Sequence, residues 1–139
     1  MVLMASEKAV KQFNLQPMAR YITSSAVGVD PRYMGIGPVY AIRRILANTG
    51  MTIEDIGLVE INEAFAMVTM AAIDAFNLDQ SKVNVNGGAC ALGHPLGSSG
   101  SRIIVTLLHA LKRTGGKKGV AALCIGGGEA TAIAVELLG

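Results

Sequence analysis

An asparagine at 62, a histidine at 94 and a cysteine at 124 are the side chains of this sequence best placed to do chemistry. Asn62 opens "NEAFA". His94 sits in the glycine-rich "NGGACALGHPLGSSGSR", residues 86–102, and Cys124 lies in "LCIGGG". An amide, an imidazole and bare backbone N–H groups suit acyl transfer, in which negative charge develops on a carbonyl oxygen and donors must already point at it. A cysteine beside them can act as thiolate nucleophile or as base, and histidine's intrinsic pKa near neutrality suits it to move the proton. Glycine lets the backbone approach the reacting group because it has no Cβ.

Each residue also has a plainer reading. Asn62 before an apolar helix can be an N-cap, and Glu63 a favourable charge in the first helical turn. Cys124 in an apolar strand can be a small core residue, and Gly126 to Gly128 a hairpin turn alone. His94-Pro95 can serve loop structure. Other chemistries find no support: "GHPLGSSGS" lacks the Lys-Ser/Thr ending of a phosphate loop, and "GIGPVY" has tyrosine where a dinucleotide fingerprint needs its third glycine. Two cysteines and two histidines without CxxC or HxxxH spacing give no expectation of a metal site.

The elements that must carry these residues follow from periodicity. "MVLMA" reads as a strand, and Ser6 caps a helix "EKAVKQF". "ARYITSSAVGV" reads as a long strand. Pro38 then opens an amphipathic helix whose face is Val39, Ile42, Ile45 and Leu46, with Gly50 closing it. Gly57 to Ile61 is a buried-type strand, "EAFAMVTMAAIDAF" a helix packed on most sides, and "KVNVN" a short strand. "SRIIVTLLHALKR" separates a polar line of Arg102, Thr106, His109 and Arg113 from an apolar one, so His109 belongs to solvent. "GVAALCI" and "ATAIAVELL" make a C-terminal β-hairpin. The order βαβαβαβαββ predicts a three-layer α/β domain with a mostly parallel sheet and one antiparallel strand. In such sheets functional groups gather at the carboxyl ends of strands, so Asn62, His94 and Cys124 are expected on one rim.

Composition bounds the setting. The 139 residues suit one domain, and the net charge of +2 is too small to indicate nucleic acid. No apolar run is long enough for a transmembrane helix, and the start lacks the pattern of a signal peptide, so a cytoplasmic protein with free thiols is expected. Only 16% of residues are charged while 51% are hydrophobic, an under-charged surface for a monomer.

The three motifs "NEAFA", "NGGACALGHPLGSSGSR" and "LCIGGG", together with "MGIGPV", resemble the C-terminal motifs of thiolases in order and spacing over nearly the whole chain. The resemblance implies that residues 1–139 form a thiolase C-terminal domain. It further implies a three-layer half-domain with a mixed, mostly parallel five-stranded sheet and helices on both faces. Such a half transfers acyl groups to and from coenzyme A, which is a substrate, with no tightly bound cofactor. Asn62 would orient a water in a first oxyanion hole that His94 completes while activating the nucleophile. Cys124 would be the acid/base at the α-carbon, Gly126 N–H would serve a second oxyanion hole, and Ala64 and Phe65 would line the thioester and pantetheine channel. The family's nucleophilic cysteine belongs to an N-terminal half, so that half is expected as a partner, in cis or as a separate chain, within a homo-oligomer. Cys90 falls where the family has an apolar residue and is expected to pack. The opposing expectation is a non-catalytic module that binds coenzyme A or a protein without turnover.

Overall fold

The computed structural model describes all 139 residues. Helix α1 (Glu7–Gln12) begins where Ser6 Oγ accepts from Ala9 N–H at 3.2 Å. Strand β1 (Ala19–Gly28) follows, and Pro31 opens a short 3-10 segment capped by Asp30. Helix α2 (Gly37–Thr49) carries Pro38 in its first turn and ends at Gly50, whose φ of 69° lets its N–H reach back to the Leu46 carbonyl. Strand β2 (Leu58–Ile61), helix α3 (Ala66–Phe76), the single turn α4 (Ala89–Leu92) and helix α5 (Ser99–Thr114) come next. Strands β3 (Lys118–Cys124) and β4 (Glu129–Leu137) form the expected C-terminal hairpin.

The sheet order is β1-β4-β3-β2. Strand β2 runs parallel to β3, while β4 is antiparallel to both β3 and β1. Three strands therefore point one way and β4 alone points back, as the mixed, mostly parallel sheet required. The sheet has four strands, where the order read from periodicity has six and the family resemblance implies five. Residues 1–5, "MVLMA", are exposed and join no strand. "KVNVN" contributes one bridge, Val59 to Val83, and then stops, because Asn84 has a φ of 47° that no strand can continue through.

Alternation along β3 divides the interior into two layers. On one face Val120, Ala122 and Cys124 join Val39, Ile42 and Ile45 of α2 and Val68 and Ala72 of α3. On the other, Ala121 meets Ile103, Leu107 and Leu111 of α5, with Leu58 and Val135 beside them. The run of alanines in β3 and β4 lets the helices sit close to the sheet. Helix α5 covers only part of its face. Beside it lies a cavity of about 410 Å³ bordered by Ser24, Ala26, Ile104, Leu123, Thr131 and Ile133. Large apolar side chains such as Phe65, Met67, Met70 and Leu96 also stand in solvent, which accounts for the under-charged composition.

Candidate active site

Strand β2 and strand β3 are parallel neighbours, so their carboxyl ends open on the same rim. Asn62 lies one residue beyond β2, where its N–H donates to the Ala122 carbonyl at 2.9 Å. Its side chain is completely buried. It does not cap the following helix, which begins four residues later behind the extended Phe65. The amide is turned instead toward the glycine-rich segment.

There Asn62 Nδ2 lies 3.4 Å from His94 Nδ1 and 3.3 Å from His94 Nε2. An atom nearly equidistant from both ring nitrogens at that range cannot lie in the ring plane without colliding with Cε1, so the amide sits over the imidazole face. The in-plane positions stay open to other partners. Nδ1 uses its own on Ser99 Oγ, 2.7 Å away, and Ser99 in turn donates to the Pro95 carbonyl at 3.2 Å. A hydroxyl has one proton to give. With that proton on Pro95, Ser99 accepts from Nδ1–H and Nε2 carries the lone pair of a base; with it on Nδ1, Nε2–H is a donor.

The glycine-rich segment is tied to the Asn62 loop by Glu63. Its carboxylate accepts from Asn84 Nδ2 and from the Cys90 N–H, both at 3.0 Å. Partial burial opposes ionisation, but these hydrogen bonds and the charge of Arg102 hold Glu63 below the usual carboxylate range. Asn84 also completes the edge of β2, since its Oδ1 accepts from Ile61 N–H at 2.8 Å and its Nδ2 donates to the Ile61 carbonyl at 2.9 Å. A side-chain amide here substitutes for the backbone of a missing strand. Gly88 makes room for the clamp, because a Cβ there would overlap the Glu63 carboxylate.

Cys124 ends β3 and is buried, and burial pushes its thiol above the ordinary value against one backbone hydrogen bond that lowers it. It makes no hydrogen bond to Asn62 or His94; it adjoins them through the strand pairing of Ile61 with Ala122. After it the chain turns through Ile125 to Gly128. Gly128, at φ 97°, packs against the Val29 carbonyl, a position that only glycine accommodates. The Gly126 N–H is engaged by no protein acceptor. Ala64 packs at the edge of the core and Phe65 is exposed, so both border the rim.

Cys90 corrects an expectation: it is exposed in α4 and does not pack. The turn is only four residues long, and Ala89 rather than Cys90 faces inward. His109 faces solvent, as its stripe required. No cluster of three histidine, cysteine or acidic side chains is placed to hold a metal ion. Three participants escaped sequence reasoning as site residues: Ser99, Arg102 and Glu60. Ser99 was legible only as a hydroxyl five residues from His94 at a helix start, and Arg102 only as part of a polar stripe. Glu60, which is 2% exposed, reads in sequence as an ordinary strand charge.

Comparison with known proteins places this rim in a family. Residues 15–137 match the family described as Thiolase, C-terminal domain. The chain is 53% identical over 135 residues to the cytosolic acetyl-CoA acetyltransferase of Mus musculus. It is 52% identical over the same length to the mitochondrial 3-ketoacyl-CoA thiolase of Homo sapiens. Each match covers 97% of this chain and 34% of the relative, so the chain spans about a third of their length. Among solved structures, human mitochondrial 3-ketoacyl-CoA thiolase in complex with CoA superposes with a TM-score of 0.94 at 51% identity, over 97% of this chain and 34% of that one. A thiolase from Ascaris suum in complex with coenzyme A gives 0.91 at 46% identity, over 96% and 35%. The chain belongs to the thiolase family, as its C-terminal domain.

Proposed function

We propose that this chain supplies half of an active site that transfers acyl groups between coenzyme A thioesters, making or thiolytically cleaving 3-ketoacyl-CoA. The observation that carries the reading is His94, fixed by Ser99 with Nε2 free and roofed by the Asn62 amide, at the end of the strand beside Cys124. The nucleophile is a cysteine of an N-terminal half, which the remaining two-thirds of the relatives' length would contain. The open sheet face beside α5 is the surface on which that half docks, and the competent enzyme is an oligomer of such pairs. A cytoplasmic setting belongs to the same reading, supported by the two free thiols.

In cleavage, His94 Nε2 takes the proton of the nucleophilic thiol, and the sulfur adds to the 3-keto carbonyl. Donors at the oxyanion, His94 and a water held by Asn62, stabilise the charge that develops. The C–C bond then breaks, leaving an acyl-enzyme and the enolate of acetyl-CoA, whose thioester oxygen is met by Gly126 N–H. Cys124, kept protonated by its burial, gives its proton to the enolate carbon. Coenzyme A thiol next gives its proton to the Cys124 thiolate and displaces the enzyme sulfur from the acyl group, and that sulfur takes its proton back from His94. Condensation runs the same steps backwards. Ala64 and Phe65 border the channel along which the thioester arm enters.

The test is thiolysis of acetoacetyl-CoA by this chain with and without a thiolase N-terminal half. Activity is expected only in the combined protein, and His94→Ala or Cys124→Ser should lower it by roughly 10²–10⁴-fold. Equal activity of the chain alone would overturn the half-site, and unchanged turnover in both variants would make the domain a binding module instead.

A further inference from the structure

Arg102 lies in the first turn of α5, directly behind the rim. Its Nη2 donates to Asn62 Oδ1 at 3.4 Å, while Nε and Nη1 are buried and hydrogen-bonded to nothing. Across from it on β2 stands Glu60, one of the fully buried side chains of the molecule. The two form no direct ion pair, but the arginine charge acts on Glu60 and on Glu63. A guanidinium with two idle buried nitrogens costs stability wherever it serves packing alone. Its one engaged nitrogen reaches the amide oxygen of Asn62.

That contact decides which way the Asn62 amide faces. The two ends of an amide are nearly the same shape, and packing cannot tell them apart. Only hydrogen-bond partners can. A guanidinium has donors and no acceptor, so it accepts the oxygen end of Asn62 and rejects the NH₂ end. The NH₂ is thereby sent to the side of His94, where a donor for a developing oxyanion has to be.

We propose that Arg102 is a positioning residue of the site, holding the Asn62 amide with its oxygen toward α5 and its NH₂ over His94. The inference rests on the acyl-transfer reading above, in which Asn62 serves the oxyanion. Arginine acts here through Asn62 and touches no reacting atom.

The experiment is a double-mutant cycle in the combined protein, with thiolysis of acetoacetyl-CoA as readout. Arg102→Met should lower kcat by roughly 10–100-fold with KM within about twofold, since a misdirected donor is lost from the transition state more than from substrate binding. Arg102→Lys, which keeps the charge and one donor, should recover part of that loss and also serves if the methionine variant folds poorly. In an Asn62→Ala background Arg102→Met should cost less than about twofold, because the group it orients is gone. Equal losses from Arg102→Met with and without Asn62 would overturn the proposal, as would unchanged kcat in the folded Arg102 variants. Unchanged turnover in Asn62→Ala alone would instead overturn the role of Asn62, and with it the reading on which the inference rests.

Discussion

Ser99 and Glu60 do their work one atom at a time. The Ser99 hydroxyl, 2.7 Å from His94 Nδ1, holds the ring in place and leaves Nε2 facing the open rim. Glu60 carries a different consequence. Burial pushes its carboxyl up to about 7, with Arg102 opposing and Glu63 adding to the rise. A raised carboxyl pKa means that the native state holds its proton more tightly than the unfolded chain, so its contribution to stability is complete below the unfolded value and is lost as pH climbs through the folded one. Urea unfolding of the wild type and Glu60→Gln should therefore diverge between pH 5 and pH 8. The wild type loses about 2–3 kcal/mol relative to the variant across that window. Parallel profiles would show that Glu60 ionises freely where it stands.

At the scale of elements, the loop after β2 and the loop before α5 are held as one unit by the Glu63 carboxylate, with Asn84 pinning both to the edge of the sheet. The unit exists because Gly88 has no side chain, although its backbone conformation is one that any residue could adopt. Gly88→Ala should destabilise the domain by about 1–3 kcal/mol through this overlap. Adding Glu63→Ala removes the overlapping carboxylate, so the double variant should lose less than the sum of the two singles. Strict additivity of the melting shifts would mean that the two loops are held together by something else.

For the whole molecule, the sheet is closed on the α2 and α3 face and half open on the α5 face. Ala26 lies exposed in that opening on β1, against no helix. Ala26→Lys should leave the isolated chain's stability within about 0.5 kcal/mol, as surface substitutions do. It should weaken association with an N-terminal thiolase half by about tenfold or more, because the ammonium would be buried unpaired in an apolar contact. Titration calorimetry or analytical ultracentrifugation of the two pieces reads the difference. Unaltered affinity would place the contact on another face.

Much of this protein was determined by its sequence alone. Pro38, Gly50 and the spacing of Val39, Ile42 and Ile45 settle α2, and the alternation from β3 into β4 settles the hairpin with its one reversed strand. The three motifs identify the family. These features are legible because capping, periodicity and turn chemistry act between residues a few positions apart. Tertiary structure decided what those residues do. Asn62 meets His94 across 32 positions and Arg102 across 40, and such meetings depend on how β2, α5 and the glycine-rich loop pack rather than on any local pattern. The same is true of "KVNVN", whose strand-like composition yields to the left-handed turn at Asn84 because the side chain of that residue satisfies the sheet edge in place of further backbone. Burial separates the two cysteines in the same way: Cys124 is shut beneath the rim, and Cys90 is left in solvent.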